Sequence, residues 1–208
     1  MHVSIPESGG RPRTQAERRA RTRAALLEAG AKGFSRYGYG NLVLEKVAAD
    51  AGYTRGALYH LFTGKEELAV AVVDWVAATW EREVWEPAQR AGAPVDILVA
   101  LARDHIVFCR RDIARVMMAL RVEFAGRVHP VGTRVADIGK DLAMRFGDVV
   151  AAGREDGSIP PGPPAKTLGA AITAAVEGLA IHLAGAAHDE EMAERMVRGL
   201  LGTLEPCS

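Results

Sequence analysis

The stretch Val47-Ala48-Ala49-Asp50-Ala51-Gly52-Tyr53-Thr54-Arg55-Gly56-Ala57-Leu58-Tyr59-His60 decides how this chain is read. It spells two short helices joined by a tight turn at Ala51-Gly52-Tyr53, where Gly52 supplies a backbone angle that a Cβ would penalise. The first helix fits Leu42 to Asp50, with Asn41 placed to cap it, and the second runs from Thr54 to about Leu61. Ala48 is small where the helices cross. Val47 and Leu58 face the little core between them.

The second helix also carries chemistry. Thr54 can cap it and donate to a phosphate, and Arg55 projects from the first turn, where a helix in a DNA major groove meets base edges. Gly56 and Ala57 leave room for deep seating, and Tyr59 and His60 follow within reach of a sugar-phosphate backbone. Tyr59 has a second reading as a core aromatic, which is also the reading for Phe62. Lys65 opens the next helix, so its ammonium and that helix's first amides can hold one further phosphate.

Working outward, Ala24, Leu27, Ala31 and Phe34 recur at helical spacing and predict a first helix ending at Gly38. Thr63-Gly64-Lys65-Glu66 has the capping-box pattern and predicts a fourth helix with Leu68, Val72, Trp75, Val76 and Thr79 inside. Further helices are expected over 96–110, 112–124, 130–153, 165–184 and 189–204, with a Gly/Pro-rich break at 157–164. No segment has strand periodicity, so the fold class is all-α. The expected organisation is a disordered basic arm over 1–14, a helix-turn-helix unit over 15–64 and a second helical domain over 65–205.

The formal net charge is zero, yet Met1 to Lys65 holds eleven lysines and arginines against five acidic residues. The basic surplus therefore lies where a nucleic-acid contact needs it. Two distant cysteines, Cys109 and Cys207, and a start without an apolar core point to a reducing cytoplasm. The apolar run from Leu168 to Ala187 carries Glu177, His182 and three glycines, which argues against a membrane span. No nucleophile elbow, phosphate loop or His-rich motif is present, so neither catalysis nor a metal or cofactor is expected.

Gly38-Tyr39, Val47-Ala48, Ala51 to His60, Phe62 and Lys65-Glu66-Glu67-Leu68, within Arg21 to Leu68, resemble the signature of the TetR family of transcriptional regulators. Leu42 and Val43 stand where that family has threonine or serine, and Leu61 where it often has an aromatic or histidine. The resemblance implies a homodimer paired through helices near 131–152 and 165–184, gripping an inverted-repeat operator as a repressor. It also implies a helical domain that receives a small hydrophobic or aromatic effector. Residues suited to line its pocket are Trp75, Trp80, His105, Phe108, Met117, Met118, Arg121 and Phe124. Arg121 and His105 stand out because a charge or imidazole on an apolar face needs a partner, which for Arg121 could be Glu123 or Asp104. The alternative is a helix-turn-helix regulator without an effector, whose second domain would be packed solid.

Overall fold

The computed structural model describes residues 14–203, and in it every regular element is helical. The first helix, α1 (Gln15–Asn41), opens on a capping box. The Thr14 hydroxyl accepts from the Glu17 amide at 3.2 Å and the Thr14 amide donates to the Glu17 carboxylate at 2.9 Å. The arm expected over 1–14 otherwise lies outside the described residues, and Thr14 itself belongs to the helix. Gly38 adopts φ +73°, so the helix does not end there as expected but breaks and adds a last turn.

The next two helices are α2 (Leu44–Asp50) and α3 (Arg55–Leu61). α2 starts two residues later than its sequence suggests, because Leu42 is extended and buried against the space Gly33 leaves for it. Asn41 does not cap α2; its amide donates to the Tyr37 carbonyl at 3.2 Å, and Val43 occupies the cap position without a side-chain bond. α4 (Lys65–Trp80) has Gly64 as its N-cap. The capping box expected between Thr63 and Glu66 is displaced by one residue: the Thr63 amide and hydroxyl both donate to Glu67, at 2.6 and 2.7 Å.

α4 then runs into a π-helical stretch, Glu81–Trp85, followed by α5 (Glu86–Ala88) and a 3₁₀ turn, Gln89–Ala91. Pro87 accounts for the widening, since it lacks an amide hydrogen and its ring crowds the carbonyl four residues back. The rest of the chain forms α6 (Pro94–Cys109), α7 (Arg115–Glu123), α8 (Pro130–Glu155), α9 (Ala165–Leu183) and α10 (Asp189–Leu201). Leu204, the expected end of the last helix, lies outside the described residues.

One continuous core joins both ends of the chain, from Leu26, Phe34, Leu58 and Phe62 through Val72 to Leu120, Phe146 and Val197. α1 packs against α4 and α7, so the helix-turn-helix is fixed to the body through two separate elements. α8 and α9 cross where Gly147 meets Gly169, a contact so close that a Cβ on Gly169 would lie 2.3 Å from the Gly147 nitrogen.

Candidate functional site

The turn between α2 and α3 is closed by backbone bonds from Tyr53 N to the Ala48 carbonyl and from Gly52 N to the Ala49 carbonyl, both 2.9 Å. Gly52 sits at φ +77°, the left-handed position that ends a helix in this way. Thr54 caps α3 by accepting from the Ala57 amide at 3.2 Å. Leu58 points into the core, leaving Arg55, Gly56, Tyr59 and His60 on the exposed side, with Ala57 half-buried. Tyr59 is 41% exposed, which removes its reading as a core aromatic, whereas Phe62 is buried as expected. Arg55 rests 3.1 Å from Glu45 of α2, with its guanidinium 5.2 Å from the Tyr59 ring centre. A Cβ on Gly56 would meet nothing closer than the Thr54 hydroxyl at 3.8 Å, so the helix presents an open surface there.

Lys65 has an internal task that its sequence position conceals. Its ammonium donates to the carbonyls of Tyr39 and Gly40 at 2.9 and 3.0 Å, closing the last turn of α1. From the opposite side Glu123, at the end of α7, accepts from the Tyr39 and Gly40 amides at 2.6 and 2.8 Å. The Tyr39 ring lies among Phe34, Phe124 and His129. This junction ties α1, α4 and α7 together just behind the helix-turn-helix.

Among the cavities of the described residues, two between the remaining helices adjoin one another. The first, about 360 Å³, is lined by Ser35 of α1, His105 and Cys109 of α6, Met117, Met118 and Arg121 of α7, and Glu177 and Ile181 of α9. The second, about 350 Å³, is lined by Trp80, Phe108, Met117, Arg121, Ile138, Leu142 and Glu177, among others. Trp75 packs against the core, and Phe124 stacks on His129 with ring centres 4.2 Å apart; neither borders a cavity.

Arg121 pairs with Glu177 of α9 and not with Glu123 or Asp104. His105 accepts at Nδ1 from the Trp80 indole N–H, 3.0 Å away, and its Nε2 lies 3.3 Å from the Cys109 sulfur. An indole can only donate, so Nδ1 is unprotonated and Nε2 carries the hydrogen directed at sulfur. Burial lowers the imidazole to about 4 and, with the Glu177 charge as a lesser cause, raises the Cys109 thiol to about 12. His105 is thus a neutral cavity wall, and Cys109 is a thiol rather than a thiolate.

A sequence profile of bacterial regulatory proteins of the tetR family matches residues 26–72, from within α1 to the middle of α4. The likeness to the TetR family of transcriptional regulators is shown for this N-terminal stretch. The chain is 29% identical to the A-factor receptor protein of Streptomyces griseus over 138 residues, 62% of this chain and 48% of that protein. The chain thus spans about half the length of that relative. It is 25% identical to the HTH-type transcriptional regulator TtgR of Pseudomonas putida, over 76% of this chain and 78% of that one. Its fold superposes on AibR, whose structure was solved in complex with isovaleryl coenzyme A and operator DNA, with a TM-score of 0.68. That match has 22% identity and covers 86% of this chain and 98% of the other.

The roles of three residues that matter to these sites could not be read from the sequence. Glu177 was visible as an isolated charge in an apolar stretch, but nothing local names Arg121 as its partner. Glu123 and Tyr39 meet across 84 positions, and the only local signal is the Gly38-Tyr39-Gly40 break that frees two amides for an outside acceptor.

Proposed function

We propose that this regulator is a dimeric repressor that holds an inverted-repeat operator through α3 and lets go when a small, mostly apolar effector fills the cavities between α4 and α9. The observation that carries the reading is the outward face of α3, where Arg55, Gly56, Tyr59 and His60 are exposed together beside the Thr54 cap. Arg55 leaves Glu45 to reach a base edge, and the Thr54 hydroxyl, Tyr59 and His60 take phosphates, with Ala57 and Gly56 allowing close approach. Asn41 and the third N–H of Lys65 lie at the flanks as further phosphate donors. Ala170, Ala171 and Ala174, with the larger Ile181, form an exposed apolar row on α9, which suits pairing of α8 and α9 with a second copy.

An effector can act because the first cavity reaches Ser35 of α1, inside the helix-turn-helix unit, and because α7 carries both Arg121 at the cavity and Glu123 at the junction. A ligand that prefers a displaced α7 would shift the orientation of α1 and with it the spacing of paired recognition helices. The cavities favour this over the effector-free alternative, which calls for a solid interior.

Arg55→Ala is expected to weaken operator binding by about 1–3 kcal/mol, roughly ten- to a hundredfold, and to relax preference at one base position per half-site. Binding to random DNA should change far less. Competition titrations with point-substituted operators measure both effects, and unchanged preference at every position would remove Arg55 from the reading surface.

A further inference from the structure

The two cavities meet at one feature. Met117, Arg121 and Glu177 line both, and the Arg121–Glu177 ion pair stands between them as a partition. The guanidinium leaves α7, bonds Glu177 of α9 through Nη1 and lays Nη2 over Gly139 of α8, where a Cβ would come within 3.0 Å of it. Gly139 is therefore the residue that makes room for the arginine. A guanidinium has five N–H donors, and among the described residues only one is engaged. The others have no protein acceptor among the described residues, on a side chain that is 37% exposed and lines both cavities.

Of the other charges at the cavities, two arginines are held by acidic partners, Arg115 has only an exposed contact to Asp112 at 3.8 Å, and Asp141 has no ion-pair partner among the described residues. Arg145 makes two bonds to Glu81 at 2.7 and 2.8 Å, and Arg134 bonds Asp74 at 2.6 Å. An anionic ligand that took Arg121 would strand the Glu177 carboxylate, which is only 21% exposed, and a cationic ligand that took Glu177 would strand Arg121. Breaking a shielded pair by removing one partner is costly, because the charge left behind is uncompensated. A neutral acceptor oxygen can instead use the idle N–H groups while the pair stays together.

We infer that the effector site is centred on the Arg121–Glu177 pair and takes an uncharged, mostly apolar molecule whose acceptor oxygen rests on the free N–H groups of Arg121. This deepens the effector reading above and rests on it. The apolar body of the molecule lies along Met117 toward Trp80 on one side or Met118 on the other.

The test is a DNA-free titration of the full chain with three matched probes, methyl octanoate, octanoate and octylammonium, read by heat and by tryptophan fluorescence, since Trp80 borders the second cavity. Methyl octanoate should bind at least about tenfold more tightly than either ion, the minimum expected when an ion leaves one member of the pair uncompensated. E177Q frees the arginine and should raise octanoate affinity at least about tenfold relative to the ester; R121M should do the same for octylammonium. Tighter binding of octanoate than of its ester by the parent chain, or an unaltered charge preference in both variants, would overturn the inference. Failure of all three probes to bind would remove the cavity site itself. Operator binding is assayed separately, so loss of the DNA reading would leave this result interpretable.

Discussion

Gly169→Val is expected to unfold or severely destabilise the chain. A Cβ at position 169 would lie 2.3 Å from the Gly147 nitrogen, 2.6 Å from its Cα and 2.7 Å from the Ala143 carbonyl oxygen. All three are backbone atoms of α8, so no rotamer change relieves the clash and the two helices must separate. Overpacking that side chains can absorb costs about 1–3 kcal/mol, and a backbone clash between the two most extensively packed helices should exceed this. Against a total stability of about 5–15 kcal/mol, the melting temperature should fall by about 10 °C or more. Gly147→Ala meets Lys166 Cα and the Ala165 carbonyl only at 3.1 and 3.2 Å, and should cost much less. Thermal circular dichroism of the two variants beside the parent decides the matter. A parent-like melt for Gly169→Val would mean that the helices do not cross at these glycines.

The second large effect is acid lability traced to His105. Its folded value of about 4 lies below the ordinary 6.5, so between these limits the unfolded chain binds a proton that the folded chain refuses. Stability is fully present above pH 6.5 and falls as the pH drops toward 4, by about 3 kcal/mol for a shift of this size. Protonating Nδ1 would also cost the bond from the Trp80 indole. Urea unfolding of the parent should therefore show most of this loss between pH 7 and 4.5, and His105→Asn should show a flatter pH dependence whatever its stability at pH 7. Equal slopes for the two proteins would place the acid sensitivity elsewhere.

The parts of this molecule that could be read from sequence are those fixed by neighbours in the chain. Gly52, Thr54, Val47 and Leu58 specify the helix-turn-helix through turn, cap and packing preferences acting over a few residues, and the structure has them as read. Local rules also misled where two patterns competed. Thr63 has Glu66 at capping-box spacing but bonds Glu67, while the capping box of α1, Thr14 with Glu17, lies at the end of a stretch whose arginines read as a basic arm. Leu42 looked helical by composition, yet the gap beside Gly33 holds it extended.

Long-range pairings were beyond the same rules. Periodicity places Arg121 on an apolar face of α7, but only packing delivers Glu177 from α9 to meet it and makes Glu123 an acceptor for the end of α1. The cavity candidates fared accordingly. His105, Phe108, Met117, Met118 and Arg121 border a cavity because α6 and α7 turn those faces inward. Phe124, one residue past α7, follows the chain toward Tyr39 instead.

The most direct test of the account is a titration of the full chain against DNA fragments flanking its own gene, repeated over a series of salt concentrations. A dimeric repressor should bind an inverted repeat about a thousandfold or more above random sequence, with the logarithm of affinity falling linearly with the logarithm of salt concentration. Binding no stronger to any flanking fragment than to random DNA at every salt would contradict it.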